Sequence, residues 1–298
     1  MVDKRIEKLA ELCVCYSVDV KPREHVLIQG SDEAFPLIRE IYKECLLCDS
    51  YPWVRPNLGL DYTFFAHAKE HQLKFVSPFR KFLVENVDVQ INIFCNPNPK
   101  ELTSVNSAKI AKHQSSHKEY WEIWDKRFTE GRLRWTVLPY PISAQAQEAT
   151  MSLDEYEDFV YRSCLVHKKD PIAEWERIHE QQEKNCRFLN KAGEIRIVGE
   201  DTELTLSVKS RKWINCDGKL NMPDGELGTS PVENSANGRI RFTYPGIYAG
   251  REVEDIQLTF KDGKVVEASA AKGGSFLKQM LKIEGADRLG EAAIGTNY

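Results

Sequence analysis

The sequence of 298 residues lacks the features that mark membrane and secreted proteins. No stretch approaches the roughly 20 consecutive apolar residues that a membrane-spanning helix needs. Residues 3–8 are mostly charged and no apolar segment follows at the N-terminus, so no secretory signal is visible. The eight cysteines are therefore predicted to be reduced thiols in a cytoplasmic protein.

The sequence also lacks a strong excess of charge of either sign. Its 41 basic and 45 acidic residues are mixed along the chain and give a net charge of −4. Proteins that bind nucleic acid or an anionic membrane surface usually carry a basic patch. We therefore predict no nucleic-acid partner and no membrane partner.

Three common functional motifs are absent from the sequence. Gly30 follows a strand pattern, but Ser31 and Asp32 stand where a G-x-G-x-x-G phosphate-binding turn would continue. No Gly-x-Ser-x-Gly nucleophile elbow is present. The histidine pairs at 67/71 and 113/117 have helical spacing, but no Glu follows the first His as in a zincin. Histidines on helix surfaces are the simpler interpretation.

Histidine is missing from the whole C-terminal part of the chain. The seven histidines are His25, His67, His71, His113, His117, His167 and His179. Two glutamates in the His-free part, Glu226 and Glu291, are candidate ligands of a divalent metal, although zinc-type sites usually include His. Either such a site is completed from elsewhere, or the chain holds half of an active site and ends within it.

The first part of the chain predicts an α/β domain with a mainly parallel sheet, over residues 1–190. Four short apolar runs read as strands and are separated by helical patterns, which is typical of βαβ units. The strand predictions cover residues 25–29, 51–54, 87–94 and 134–138. Ser152 with Glu155 predicts a capping box, and Asp170 before Pro171 predicts the start of another helix.

The second part, residues 191–298, predicts a β-rich (α+β) domain that carries the metal and looks incomplete. Leu204, Leu206 and Val208 alternate with polar residues, as in a half-buried strand. The pairs Asn237-Gly238 and Asp262-Gly263 are turn signals, the second a strong hairpin signal. Residues 292–295 predict a last strand that runs to the end of the chain.

The two glutamates are weak signals when each is taken alone. Glu226 follows the turn pair Asp224-Gly225 and reads as a solvated side chain. Glu291 stands among apolar neighbours, where a carboxylate needs a partner or a metal.

Four segments, taken in order, resemble the thermophilic metallo-aminopeptidases of the aminopeptidase T, aminopeptidase S and PepS type. Residues 134–145 read Arg-Trp-Thr-Val-Leu-Pro-Tyr-Pro-Ile-Ser-Ala-Gln, and residues 170–175 read Asp-Pro-Ile-Ala-Glu-Trp. Residues 221–226, Asn-Met-Pro-Asp-Gly-Glu, and residues 289–291, Leu-Gly-Glu, resemble the family's first two metal-ligand motifs. The resemblance covers essentially the whole chain.

The resemblance implies a metal-dependent aminopeptidase that removes N-terminal residues from peptides and assembles as a homodimer. It implies two adjacent divalent ions, Zn, Co, Mn or Mg, with Glu226 and Glu291 as ligands and Glu291 favoured as the bridge. In such a site the metals polarise the peptide carbonyl and activate a water molecule. No residue of this chain is assigned as the catalytic acid or base.

The resemblance also implies site residues that this chain does not supply. Two His, an Asp and a Tyr of the family lie beyond the motif at which the sequence ends. Two carboxylates alone bind a borderline metal weakly. Whether this chain binds metal and is active by itself therefore stays open at this point.

Two other functions remain compatible with the residues. The chain is alternatively a non-catalytic dimerising or peptide-binding module that retains the fold. A weaker possibility is an α/β protein that binds a nucleotide or sugar phosphate near Gly30.

Overall fold

The computed structural model describes residues 3–248 and 251–297. They form two compact units. The first contains residues 1–177 and 217–224, and the second contains residues 178–216 and 225–298. The predicted domain boundary near residue 190 stays a prediction. The chain passes between the compact units earlier, and a short segment returns to the first unit.

The first unit is built on a parallel four-stranded sheet, as the α/β pattern predicts. The strand order is β2-β1-β3-β4, and all three pairings are parallel. Each strand contains or overlaps one of the four apolar runs. The strands are β1 (His25–Ser31), β2 (Tyr51–Asn57), β3 (Val89–Phe94) and β4 (Arg134–Pro139).

In the described residues, ten α-helices precede or separate these strands or follow the last of them. They are α1 (Lys4–Leu12), α2 (Phe35–Leu47), α3 (Asp61–His67), α4 (Glu70–Leu73), α5 (Pro78–Asn86), α6 (Ser107–Ser116), α7 (Lys118–Thr129), α8 (Ser143–Glu148), α9 (Leu153–Ser163) and α10 (Pro171–Leu189). The predicted helix starts are confirmed. The Ser152 hydroxyl accepts from the Glu155 amide at 3.3 Å, and Asp170 accepts from the Ala173 amide at 3.0 Å.

The core of the first unit lies against both faces of the sheet. Ile28 and Ile91 are register partners on one face and are fully buried. Leu27 faces the other side, where it is buried with Val87 and Leu133. Both faces of a parallel sheet are normally covered, which explains why the central strands read as near-continuous apolar runs.

Residues 217–224 attach to the edge of this sheet. The amide of Val137 donates to the Leu220 carbonyl, and the amide of Met222 donates to the Val137 carbonyl, both at 2.9 Å. The hydroxyl of Tyr16 donates to the Asp217 carbonyl at 2.9 Å. These contacts explain why the segment belongs to the first unit although it lies far along the chain.

The second unit is β-rich and antiparallel, as the period-two pattern predicts. It contains a five-stranded sheet in the order β13-β12-β9-β6-β5, a three-stranded sheet in the order β14-β8-β7, and the antiparallel pair β10-β11. The elements are β5 (Glu194–Gly199), β6 (Thr202–Ser207), β7 (Ile214–Cys216), β8 (Glu226–Thr229), β9 (Asn237–Phe242), β10 (Gly246–Tyr248), β11 (Arg251–Val253), β12 (Ile256–Lys261), β13 (Lys264–Ser269), α11 (Gly274–Met280) and β14 (Ala292–Gly295).

The two turn predictions in this unit have different outcomes. Asp262-Gly263 forms the turn between β12 and β13, where Lys261 pairs with Lys264. Asn237-Gly238 is not a turn, and that prediction is wrong. Gly238 lies inside β9, where a Cβ atom would come within 2.1 Å of the Glu203 carbonyl oxygen. Glycine is therefore needed at this position because β9 and β6 approach closely, and not because the chain turns.

Across residues 3–248 and 251–297, every helix is too short or too polar to cross a lipid bilayer.

Candidate metal centre

Glu226 is the first residue of β8, and the backbone at Gly225 sets its position. Gly225 has φ of +111°, and a Cβ atom there would lie 2.5 Å from Cβ of Asn297. The Gly225 carbonyl accepts from the amides of Thr296 and Asn297 at 2.7 and 3.2 Å. Glycine is required at this φ, so the loop before Glu226 is fixed against the end of β14.

Glu291 lies just before β14 and reaches over Gly228 of β8. Strand β14 pairs antiparallel with β8, with Ala293 opposite Gly228. A Cβ atom added to Gly228 would lie 2.8 Å from the Glu291 Oε1 atom, which is closer than atoms of this kind approach without a shift. The bare backbone of Gly228 therefore forms a cradle that admits the Glu291 carboxylate.

Cys216 is a third donor at the same place, and the sequence alone does not indicate it. It is the direct partner of Glu226 in the β7–β8 ladder. Its Sγ atom and a carboxylate oxygen of Glu226 lie within 4.8 Å of each other. The same sulfur lies 3.9 Å from the position that a Cβ atom on Gly228 would occupy.

Strand alternation puts these donors on one face of the three-stranded sheet. Residues two apart in a strand share a face, so Glu226 and Gly228 face the same side. Leu227 faces the other side, where it is buried with Trp213 and Cys186. The apolar cluster on that face fixes the strands, and the polar donors occupy the opposite face.

Gln182 of α10 connects strands β7 and β8 and the segment that follows β14. Its side chain is almost fully buried. The Nε2 group donates to Asn215 Oδ1 at 2.7 Å and to the carbonyls of Cys216 and Glu226, both at 3.1 Å. Its Oε1 atom accepts from the Thr296 hydroxyl at 2.7 Å. One side chain thus links β7, β8 and the segment after β14.

The donors fit a borderline divalent metal. A thiolate and carboxylates suit zinc or cobalt better than magnesium, which prefers oxygen ligands alone. Because Gly228 has no side chain, the backbone there also leaves space for the Glu291 carboxylate. Among the described residues, however, no set of three His, Cys, Asp or Glu donors within 4.8 Å of one another includes Glu291.

Neither histidine pair belongs to a group of three possible metal donors in the described part of the chain. His67 and His71 lie in different short helices, α3 and α4. The rings of His113 and His117 meet edge to face with centroids 4.4 Å apart, and the Nδ1 atom of each contacts a backbone carbonyl. His117 is buried and His113 is partly buried, so these two side chains are not the exposed helix-surface histidines that the sequence predicts.

Comparisons with known proteins agree on one family. A model of the family described as "Thermophilic metalloprotease (M29)" matches residues 2–298. Aminopeptidase 2 of Geobacillus stearothermophilus is 27% identical, over 98% of this chain and 76% of that protein. Aminopeptidase PepS of Streptococcus thermophilus is 24% identical, over 98% of this chain and 76% of its own length.

A solved structure shows the same fold. Wild-type AmpT from Thermus thermophilus superimposes with a TM-score of 0.83 at 22% sequence identity, covering 98% of this chain and 78% of that one. The mainly parallel first sheet and the β-rich second unit are therefore common to both proteins.

The family match supports a divalent metal as cofactor, and the donors around Gly228 are of a kind that binds one. Because the match extends over nearly every residue, the chain belongs to the thermophilic metalloprotease family of peptide hydrolases.

Proposed function

We propose that this protein is a metal-dependent aminopeptidase whose metal site includes Glu226 and Glu291. One observation carries the proposal most strongly: the Glu291 carboxylate and the Cys216 thiol meet over Gly228, which has no room for a side chain of its own, and Cys216 also lies within 4.8 Å of a Glu226 carboxylate oxygen. This arrangement occurs in a chain whose relatives are named aminopeptidases.

Charge explains why such a site needs a cation. Carboxylate groups are ionised at neutral pH and act only as hydrogen-bond acceptors. Anionic groups that share a small space repel each other unless a cation or a proton lies between them. Glu291 lies over Gly228, and Glu226 lies two residues before Gly228 on β8, so a divalent ion bound by both carboxylates would offset their charge.

The proposed site holds two divalent ions, with Cys216 as an additional donor that favours zinc or cobalt over manganese or magnesium. When bound, such ions polarise a peptide carbonyl and lower the pKa of water. The protein's own contribution is to fix the donors: Gly225 orients Glu226, and Gly228 leaves room for Glu291.

The proposal extends to a cytoplasmic homodimer. The resemblance to the family supports the dimer, and the cysteine usage supports the compartment. None of the eight cysteines forms a disulfide in the described residues, as is usual in a reducing compartment. Light scattering of the purified chain should give twice the mass of 34.3 kDa, whereas a monomer mass would contradict the dimer.

Hydrolysis of a leucine p-nitroanilide tests the activity directly. The purified chain is assayed with added cobalt or zinc, with and without a chelator. We expect turnover that requires the metal. We also expect Glu291→Gln to abolish it, because an amide binds these metals far more weakly than a carboxylate does.

Glu284→Gln is the matched control, since Glu284 is an exposed glutamate of the same unit. It should keep full activity. Turnover that is unchanged in Glu291→Gln would remove Glu291 from the mechanism. A folded, metal-loaded chain with no turnover would contradict the proposal and favour a non-catalytic peptide-binding module.

A further inference from the structure

A polar cleft of about 520 Å³ lies in the first unit, and none of its lining residues is a metal-site residue. It is lined by the carboxyl ends of β1, β2 and β3, including Gln29, Arg55 and Asn92. In the order β2-β1-β3-β4, strand β2 lies on one side of β1, and β3 and β4 lie on the other side, so the connections run in opposite directions from β1. In open α/β sheets, ligands bind in the crevice at this switch point.

Two arginines line the cleft without a carboxylate partner. Neither Arg55 nor Arg80 forms an ion pair anywhere in residues 3–248 and 251–297. The Arg80 guanidinium stacks over the ring of Tyr120 at 4.7 Å, which fixes its position. Its Nε–H is buried and has no hydrogen-bond partner among the described atoms. A charged donor is costly to leave in this state.

The two arginines also lie near enough to affect each other. Desolvation within the cleft, followed by the positive charge of Arg80, lowers the pKa of Arg55. Like charges held together without a counter-ion are unfavourable, and an anion between them would relieve the repulsion. Arginine is well suited to this role because its planar fork matches carboxylate and phosphate oxygens.

Neutral and acidic groups complete the lining. The amide of Gln29 donates to Asn92 Oδ1 at 2.8 Å, and this pair lies beside the arginines in the lining. Asp61 and Glu101 also line the cleft. Desolvation, and then the negative charge of Asp61, raise the pKa of Glu101. The cleft therefore has a cationic part and an anionic part that do not neutralise each other.

We propose that this cleft binds a small ligand through an anionic group, a carboxylate or a phosphate, held by Arg55 and Arg80. The site is independent of the metal donors and of the proposed peptidase activity. A simple anion uses the arginines alone. An amino acid would also place its ammonium group near Asp61 and Glu101.

Isothermal titration calorimetry on the metal-free chain tests the site. Inorganic phosphate and leucine are titrated separately, since they supply the two kinds of anionic group. We expect at least one of them to bind at one site per chain. Arg55→Gln should weaken that binding about tenfold or more, as expected for the loss of a charge-assisted hydrogen bond. Arg162→Gln, which removes an exposed arginine of the same unit, should leave it unchanged.

Glu101→Gln gives a result that misfolding cannot imitate. Removing this negative charge should tighten phosphate binding by roughly twofold to fivefold. For leucine the same change should weaken binding, because the ammonium group loses a partner. No heat from either ligand, or equal binding by the wild type and Arg55→Gln, would overturn the proposal. Peptidase activity plays no part in this measurement, so either proposal can fail without the other.

Discussion

The carboxylate of Glu291 occupies the space that a side chain on Gly228 would need. Its Oε1 atom lies 2.8 Å from the position of a Cβ atom on Gly228. The two residues lie on adjacent antiparallel segments, so the register of β14 on β8 creates this fit. A glycine in a strand normally weakens it, which makes its presence here significant for the site.

Gly228→Ala should therefore displace Glu291 and weaken metal binding. A methyl group at 2.8 Å forces the carboxylate to move, and a ligand displaced by about 1 Å is a serious loss for a site that requires defined geometry. We expect zinc affinity to fall by about tenfold or more, measured by competition with a chromophoric chelator.

Gly193→Ala is the matched control for that experiment. Gly193 lies in the same unit and has nothing within 4 Å of its Cβ position. It should keep wild-type zinc affinity. Equal affinity of Gly228→Ala and the wild type would show that the Glu291 carboxylate does not bind the metal in this position.

Gln182→Glu should destabilise the second unit and disturb the site. The substitution replaces the Nε2 donor with a carboxylate oxygen that would face Asn215 Oδ1 and two carbonyls. Buried acceptors without a donor cost about 1–3 kcal/mol each. We expect the free energy of unfolding to fall by about 2–4 kcal/mol in urea titrations.

The adjacent residue provides the comparison for Gln182. Gln181 lies on the same helix and is exposed, so Gln181→Glu should change stability by less than about 0.5 kcal/mol. If both variants unfolded at the same urea concentration, the hydrogen bonds of Gln182 would contribute little to the stability of the strands.

Glu40 of α2 should make the stability of the protein depend on acidic pH. This glutamate is buried and forms ion pairs with Lys43 and Arg39 at 2.5 and 3.1 Å. The hydrogen bond from Lys43 is the main cause that lowers the pKa of Glu40 below its usual 4.5. The Glu40 carboxyl group therefore binds a proton less tightly in the folded protein than in the unfolded chain.

The sign of the effect follows from linkage. A lowered pKa in the folded state stabilises the protein above pH 4.5, and this contribution is lost as the pH falls through the folded-state pKa. Glu40→Gln should therefore be less stable than the wild type at neutral pH, with a smaller difference in strong acid. Urea titrations at both pH values measure this, with the exposed Glu180→Gln as control. A difference that is the same at both pH values would contradict the assignment.

The fold is largely predictable because its elements have clear local signals. The apolar runs that form β1 and β3 end at polar or proline-containing segments. The prediction of a last strand over residues 292–295 is confirmed by β14, which has the same bounds. In each case hydrophobic pattern and turn residues point to the same structure.

The features that sequence reasoning misses depend on contacts between strands. Asn237-Gly238 has the composition of a hairpin turn, but Gly238 is needed where β9 passes close to Glu203. Cys216 gives no signal as a donor, because its place opposite Glu226 follows from the register of β7 on β8. A single sequence does not encode register explicitly, so part of the candidate site is visible only in the folded chain.

Zinc binding by the purified chain tests the central claim most directly. Equilibrium dialysis followed by elemental analysis gives the number of ions per chain for the wild type and for Glu226→Gln combined with Glu291→Gln, with Glu284→Gln as control. We expect the wild type and the control to retain tightly bound zinc and the double variant to lose it. Equal zinc content in all three proteins would contradict the assignment of Glu226 and Glu291 as metal ligands.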